Sequence, residues 1–256
     1  MEHYPIRQVE HYNLNIPERS LSMKPNQTFI DFQMSKDKII LIHEQKYTKE
    51  KLEKALLNIK YKGRGKIKDL HVENGRIPSI AKNFYLTLFH YGLPSPEQLI
   101  NMYFLKHKAH ETEHTIKFKG SNQYFSKTGV EGRIYRTYPS LIRDYHFFLS
   151  CKEMNEFDDV FYSFRRDQDG VDTVIKYKGQ EFAIALFVDT PRSRSYKKKK
   201  YNRHETLDIP EICITINPFD KSTYIGDYAL YQKYHIDNMI KEMRSVLETK
   251  ESVKIS

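Results

Sequence analysis

Three carboxylates lie in or beside two predicted strands in the C-terminal half of the chain. Asp172 opens an alternating segment, Glu181 precedes the apolar run Phe182–Val188, and Asp189 follows it. Carboxylates that converge can hold a divalent metal that activates water for phosphodiester cleavage, provided that another group handles the proton. Asp172, Glu181 and Asp189 are therefore candidate catalytic residues, with Asp172 and Asp189 as candidate metal ligands. Whether their side chains converge depends on the fold.

A second group of residues suited to binding lies in the basic segment 191–204, which carries seven Lys and Arg residues and no Asp or Glu. Its cations and interleaved tyrosines are Arg192, Arg194, Tyr196, Lys197, Lys198, Lys199, Lys200, Tyr201 and Arg203. Cations neutralise phosphates and tyrosine rings stack on unpaired bases, so this segment is predicted to bind nucleic acid. A solvated basic surface is the alternative interpretation.

The composition of the 256 residues favours a polyanionic partner. Lys and Arg number 42 against 33 Asp and Glu, a net charge of +9. No stretch is long and apolar enough to span a membrane, so we expect no membrane partner and a cytoplasmic protein. The two cysteines, Cys151 and Cys213, lack the spacing of a zinc site and are expected to be buried thiols.

The elements around the three carboxylates follow a regular order. Leu141, Tyr145, Phe148 and Leu149 form one apolar stripe, which predicts a helix over 140–151. Short strands are predicted over 160–164 and 172–177, and Lys178-Gly179 is typical of a tight hairpin. The nearly unbroken apolar run 182–188 predicts a central strand covered on both faces. After the basic segment come a strand over 212–216 and a closing helix within 228–247.

That order resembles the αβββαβ core of the restriction-endonuclease-like fold, the PD-(D/E)XK nucleases, over about residues 131–240. In that family an Asp opens the second strand and Glu-x-Lys lies on the third. Asp172 occupies the first position, whereas the Glu-x-Lys positions fall within Ala183-Ile184-Ala185-Leu186. The resemblance implies Mg²⁺ or Mn²⁺ as cofactor and DNA rather than RNA as partner, but the third strand lacks the residues that the chemistry needs.

The N-terminal half is predicted to contain a strand hairpin over 28–43, a helix capped by Thr48, and a pair of helices joined by a short turn. Gly92 is expected to end the first helix of the pair, and Ser95 with Gln98 forms the capping-box pattern of the second. After His107 the sequence is more typical of a turn and a hairpin than of a base-reading helix, so either a recognition helix there is very short or the helix pair is purely structural. Two strands over 115–119 and 123–126 would instead form a wing.

The sequence of this helix pair resembles that of the winged-helix domains of the replication-relaxation family, whose proteins belong to plasmids and other mobile elements. The matching residues are Gly92, Glu97, Gln98 and Leu99. The resemblance implies DNA binding. Core packing is the alternative role of the pair, whereas the basic charge and the nuclease-like element order favour DNA contact.

Together these patterns predict an α+β protein with a helix-turn-helix or winged-helix-like region over 1–127 and a nuclease-like mixed sheet over 128–256. The glycine-rich segment 128–136 is expected to link them. The favoured function is a nucleic-acid-binding protein of a mobile element, phage or plasmid, with a nuclease-like domain that lacks a complete catalytic set. An active Mg²⁺- or Mn²⁺-dependent DNA endonuclease that uses Asp172 with Glu181 or Asp189 is the first alternative. A protein-interaction or structural module is the second.

Overall fold

The structure is a computed structural model that describes residues 32–34, 39–41, 47–63, 66–161, 171–191, 193 and 209–255. Helices and several small sheets occur together in these ranges, which confirms the predicted mixture of α and β structure. The chain divides into two compact units, one of residues 1–30 and 59–141 and the other of residues 31–58 and 142–256. The division after residue 141 differs from the boundary at 127/128 that the sequence predicted.

We number the described elements in chain order. They are β1 (Phe32–Met34), β2 (Ile39–Leu41), α1 (Lys49–Leu56), α2 (Leu70–Asn74), α3 (Ile80–Tyr91), α4 (Pro96–His107), β3 (Lys108–Glu111), β4 (Thr115–Phe118), β5 (Tyr124–Ser126), α5 (Lys127–Lys152), β6 (Asp159–Phe161), β7 (Thr173–Tyr177), β8 (Gln180–Val188), β9 (Glu211–Ile216), a 3-10 helix (Lys221–Thr223), β10 (Tyr224–Ile225), β11 (Tyr228–Ala229) and α6 (Lys233–Ile255).

Local signals in the sequence define the ends of the paired helices α3 and α4. Gly92 ends α3 with a φ of 93°, a conformation that favours glycine. The Ser95 hydroxyl accepts a hydrogen bond from the Gln98 amide at 3.2 Å, and the Gln98 side chain accepts one from the Ser95 amide at 2.8 Å. The predicted capping box is therefore confirmed, because both reciprocal bonds are present.

A three-stranded antiparallel sheet follows α4 directly. Its order is β3-β4-β5, and Thr115 on β4 lies opposite Ser126 on β5. Between His107 and Lys127 the chain forms these three strands and no helix, which confirms the predicted hairpin. Ile116, Phe118 and Phe125 are buried on its inner face.

The long helix α5 corrects one prediction. The glycine-rich segment 128–136 is not a link but the first part of this helix. A Cβ on Gly129 would lie 2.7 Å from the Cβ of Asp69, and a Cβ on Gly132 would lie 2.6 Å from the carbonyl oxygen of Ile67. These glycines therefore allow the chain before α2 to approach the helix closely, and Arg136 donates hydrogen bonds to the carbonyl of Ile67 and to Glu73.

The second unit contains a four-stranded sheet of order β6-β7-β8-β9. Strand β7 pairs antiparallel with both β6 and β8, whereas β9 runs parallel to β8. The turn between β7 and β8 has positive φ at Lys178 (49°) and Gly179 (79°), as a two-residue hairpin requires. The prediction of an inner strand over 182–188 is confirmed, since β8 pairs on both sides and Phe182 to Ala185 are buried.

Helices and a short hairpin complete the second unit. The side chain of Thr48 caps α1 as predicted, by accepting a hydrogen bond from the Lys51 amide. The predicted N-terminal hairpin is present as β1 and β2, with Phe32 opposite Leu41. Cys151 is buried and Cys213 is half-buried. No helix in the described ranges is long and apolar enough to cross a membrane.

Candidate functional site

Asp172 lies at the start of β7 and is held by the backbone of β8. Its amide donates to the carbonyl of Ile184 at 2.8 Å, and its Oδ2 accepts from the amide of Leu186 at 2.6 Å. In the antiparallel pair β7–β8, Thr173 lies opposite Ile184. The residue before Thr173, Asp172, therefore lies beside the residue after Ile184, Ala185. The first position of the candidate catalytic set is thus a half-buried carboxylate at a strand entrance.

The neighbours of Asp172 across the sheet carry little catalytic potential. Ala185 on β8 pairs with Cys213 on β9, so the row across three strands contains one carboxylate, one methyl group and one thiol. Ala183 and Ala185 are fully buried. A Glu-x-Lys pair on β8 would need these positions, and the residues there can neither bind a metal nor carry a charge.

The register separates Asp172 from Glu181. Glu181 lies opposite Lys176, four residues before Ala185 along β8. Four residues of extended strand span about 13 Å, whereas two carboxylates that share a metal must approach within a few ångströms. The described backbone therefore does not bring Asp172 and Glu181 into one metal site.

Asp189 lies beyond the opposite end of β8. Its amide donates to the carbonyl of Ile216 at 2.8 Å, four residues past Ala185. The same strand geometry separates its backbone from Ala185 by about 13 Å. Among the described residues, no group of three or more His, Cys, Asp or Glu side chains could hold a metal ion.

The residues around the end of the sheet near Asp189 were not predicted from the sequence. The Tyr231 hydroxyl donates to the carbonyl of Phe187 at 3.1 Å, and the Tyr231 ring packs edge-on against Phe147 of α5 at 5.4 Å. Burial raises the pKa of Tyr231; the charge of Arg143 opposes this shift, and the charges of Asp144 and Asp172 add to it. Arg143, also on α5, donates to the carbonyl of Ala229 at 3.2 Å. The only sequence signal for this cluster was the polar pair Arg143-Asp144 beside the apolar stripe of α5.

The predicted nucleic-acid-binding segment lies almost entirely outside the described residues. Only Pro191 and Ser193 of the range 191–204 are described. The residues outside are Arg192, Arg194, Tyr196, Lys197, Lys198, Lys199, Lys200, Tyr201 and Arg203. Their role in binding stays a prediction.

The division into units reveals where the excess of positive charge lies. Residues 59–141 contain 14 Lys and Arg against six Asp and Glu, a net charge of +8. Residues 142–256, which include the basic segment, contain 19 of each and are neutral overall. Nearly all of the charge of +9 therefore belongs to the first unit.

Part of that charge gathers around the end of α4. His107 is half-buried, and its carbonyl accepts a hydrogen bond from the Lys119 amide at 2.8 Å. Burial, together with the charges of Lys106, Lys119 and Lys82, lowers the pKa of His107 from 6.5 to about 4. The imidazole is consequently neutral at physiological pH, whereas the lysines around it carry positive charge.

The second helix of the pair, α4, has no exposed residue. Each of the 12 residues of α4 is buried or half-buried, including Leu99, Met102 and Tyr103 in the core. A helix that reads bases presents exposed side chains to the major groove. The geometry therefore favours a packing role for α4, which was one of the two alternatives for this pair.

No protein-family model matches this chain, and neither the curated proteins nor the solved structures compared with it give a significant match.

Proposed function

We propose that this chain is a nucleic-acid-binding protein of a mobile element, phage or plasmid, and that its second unit is a nuclease-like domain without a complete catalytic set. The observation that carries the proposal is the net charge of +8 on residues 59–141. A compact unit with such an excess of cations attracts polyanions and releases counterions when it neutralises their phosphates.

The strand order of the second unit supports the nuclease-like part of the proposal. Helix α5 is followed in the chain by three antiparallel strands and then by a fourth strand that runs parallel to the third. This is the order on which the resemblance to the PD-(D/E)XK nucleases rests. Ala185 beside Asp172 supports the absence of a complete catalytic set, because it supplies neither a second metal ligand nor a proton-handling group.

The assignment to a mobile element rests on the resemblance of the helix pair to the replication-relaxation family. Gly92 and the sequence Glu97-Gln98-Leu99 carry that resemblance, and they lie at the end of α3 and in the first turn of α4. The direct passage from α4 into strands supports a winged-helix-like unit in which the sheet replaces a further helix.

A binding experiment tests the proposal directly. Fluorescence anisotropy of the full chain with labelled single-stranded DNA, duplex DNA and RNA should give affinities that fall steeply as salt rises. Each neutralised phosphate contributes roughly 0.9 to the log–log slope on duplex DNA and roughly 0.7 on single strands. Undetectable or salt-independent binding to all three would instead favour the protein-interaction module.

A cleavage experiment separates this function from an active endonuclease. Plasmid and linear DNA incubated with the protein and Mg²⁺ or Mn²⁺ should remain intact, because the position beside Asp172 lacks a partner carboxylate. Metal-dependent cleavage that is lost in Asp172→Ala would overturn the proposed absence of catalysis and would support the endonuclease alternative.

A further inference from the structure

Three side chains form one row across the outer face of the sheet β3-β4-β5. In the register, His110 lies opposite Lys117, and Lys117 lies opposite Tyr124. Residues directly opposite each other in antiparallel strands project from the same face. Because Ile116, Phe118 and Phe125 are buried on the other face, the row lies on the solvent side of the sheet, with the half-buried Lys117 between two exposed residues. We call these three residues the sheet row.

The sheet row combines exposed aromatic surface with positive charge. The Tyr124 side chain is 49% exposed, and His110 is exposed as well. Their ring centroids lie 6.0 Å apart in an edge-on arrangement, and the Lys117 Nζ lies 5.7 Å from the Tyr124 ring centroid. The contacts hold the tyrosine ring beside an ammonium group while leaving about half of its side chain open to solvent.

Tyr124 stands apart from the other exposed aromatic residues. Among the described residues, Tyr124, Phe219 and Tyr234 are the strongly exposed large aromatic side chains, and Tyr124 alone belongs to the unit with a charge of +8. Phe219 and Tyr234 belong to the second unit.

The nearby carboxylates do not neutralise the sheet row. Glu111 forms ion pairs with Lys108 at 2.9 Å and Lys127 at 2.5 Å. Lys117 makes no ion pair with any carboxylate in the part of the chain that the structure describes. Lys119, one residue past β4, and Lys82 add further exposed positive charge to this unit.

We propose that the sheet row is a stacking platform for single-stranded nucleic acid, with Tyr124 as the ring on which an unpaired base stacks and Lys117 as a phosphate contact. An exposed ring flanked by a cation suits an unpaired base, because every base has a π-face and carries a phosphate nearby. A duplex keeps its bases stacked on one another and offers no such face. This inference rests on the proposed nucleic-acid-binding function and names its ligand class.

The test compares binding of labelled oligothymidine and of a blunt duplex to the 256-residue chain. Loss of one base–aromatic stack is worth about 1–3 kcal/mol, so Tyr124→Ala should weaken oligothymidine binding by about 5- to 150-fold and duplex binding far less. Tyr124→Phe keeps the ring and should retain binding. Lys117→Gln should lower the single-strand salt slope by roughly 0.7.

Tyr234→Ala is the matched control, because that side chain is 47% exposed and lies in the second unit. It should leave oligothymidine binding unchanged. If the unaltered protein binds oligothymidine and Tyr124→Ala binds it equally well, the platform is wrong while the proposed function stands. Equal losses on oligothymidine and duplex would overturn the single-strand assignment. If the unaltered protein binds no nucleic acid, the proposed function itself fails.

Discussion

At the scale of single residues, Asp172 has a structural role that does not depend on catalysis. Its carboxylate accepts a hydrogen bond from the amide of Leu186. Without that carboxylate, the Leu186 amide would need another hydrogen-bond acceptor. Hydrogen bonds to charged groups are shorter and stronger than neutral ones. The carboxylate therefore stabilises the entrance of β7 against β8.

Replacing Asp172 should consequently reduce stability. Asp172→Ala leaves the Leu186 amide without its acceptor, which costs about 1–3 kcal/mol of the free energy of unfolding. Asp172→Asn keeps an acceptor oxygen and should cost less. Urea denaturation of the two variants measures the difference, and equal stability of Asp172→Ala and the unaltered protein would contradict this role.

A second residue-scale feature is the pair of Glu53 on α1 and His146 on α5. The His146 side chain is fully buried, and its Nε2 lies 2.8 Å from Glu53 Oε1. The hydrogen bond to His146 is the largest influence on Glu53 and lowers its pKa from the ordinary value of 4.5, while partial burial opposes that shift. The pair thus joins α1 to α5 within the second unit.

The pH dependence of Glu53→Ala tests this pair. A lowered pKa in the folded state stabilises the protein above the unfolded-state pKa of Glu, and that stabilisation is lost as the pH falls through the folded-state value. The stability difference between the unaltered protein and Glu53→Ala should therefore be largest near neutral pH and should shrink below about pH 4.5. Glu50→Ala, on the exposed side of the same helix, is the control and should have little effect. A difference that is constant with pH would contradict the prediction.

At the scale of elements, α5 shows how glycine acts inside a helix. Gly129 and Gly132 remove the Cβ atoms that would meet Asp69 and Ile67. Arg133 donates to the carbonyl of Val72, and Arg136 to that of Ile67. The first part of α5 therefore acts as the surface on which residues 66–74 pack.

Gly132→Ala should destabilise the protein, although the same change at an open helical position stabilises it by up to about 1 kcal/mol. The new Cβ would lie 2.6 Å from a backbone carbonyl, which cannot move as freely as a side chain. Thermal unfolding should show a lower midpoint for Gly132→Ala than for the unaltered protein. A raised midpoint would mean that residues 66–69 do not pack against α5.

At the scale of the whole molecule, the two units differ in charge rather than in size alone. Residues 59–141 have a net charge of +8, whereas residues 142–256 have no net charge. Long-range attraction follows net charge, so under the proposed function we expect the first unit to contribute most to the attraction of a polyanion. The basic segment 191–204 concentrates positive charge within residues 142–256, which are neutral overall.

Two charge variants of equal size distinguish the units. Replacing Lys82, Lys117 and Lys119 by Gln should flatten the salt dependence of duplex binding by up to about 2.7, if each lysine meets one phosphate. The control replaces three exposed lysines of the second unit, Lys176, Lys221 and Lys241, and should leave the slope nearly unchanged. Equal slopes for the two variants would show that charge placement does not decide binding. Replacing Lys197–Lys200 by Ala measures the contribution of the basic segment separately.

Features that depend on residues close together in the chain could be predicted without the structure. The capping box at Ser95 and Gln98, the end of α3 at Gly92 and the turn at Lys178-Gly179 follow from local side-chain chemistry and backbone freedom. The inner strand β8 follows from an apolar run that only a strand covered on both faces buries well.

Tertiary structure alone decided the features that join distant parts of the chain. Which residue of β8 stands beside Asp172 depends on register, and a shift of one residue would exchange the faces of the strand. The glycines of α5 carry the same local signal whether they form a link or a close contact with Ile67, so only packing distinguishes the two. The sheet row could not be predicted from the sequence, because only the pairing of three strands brings His110, Lys117 and Tyr124 together.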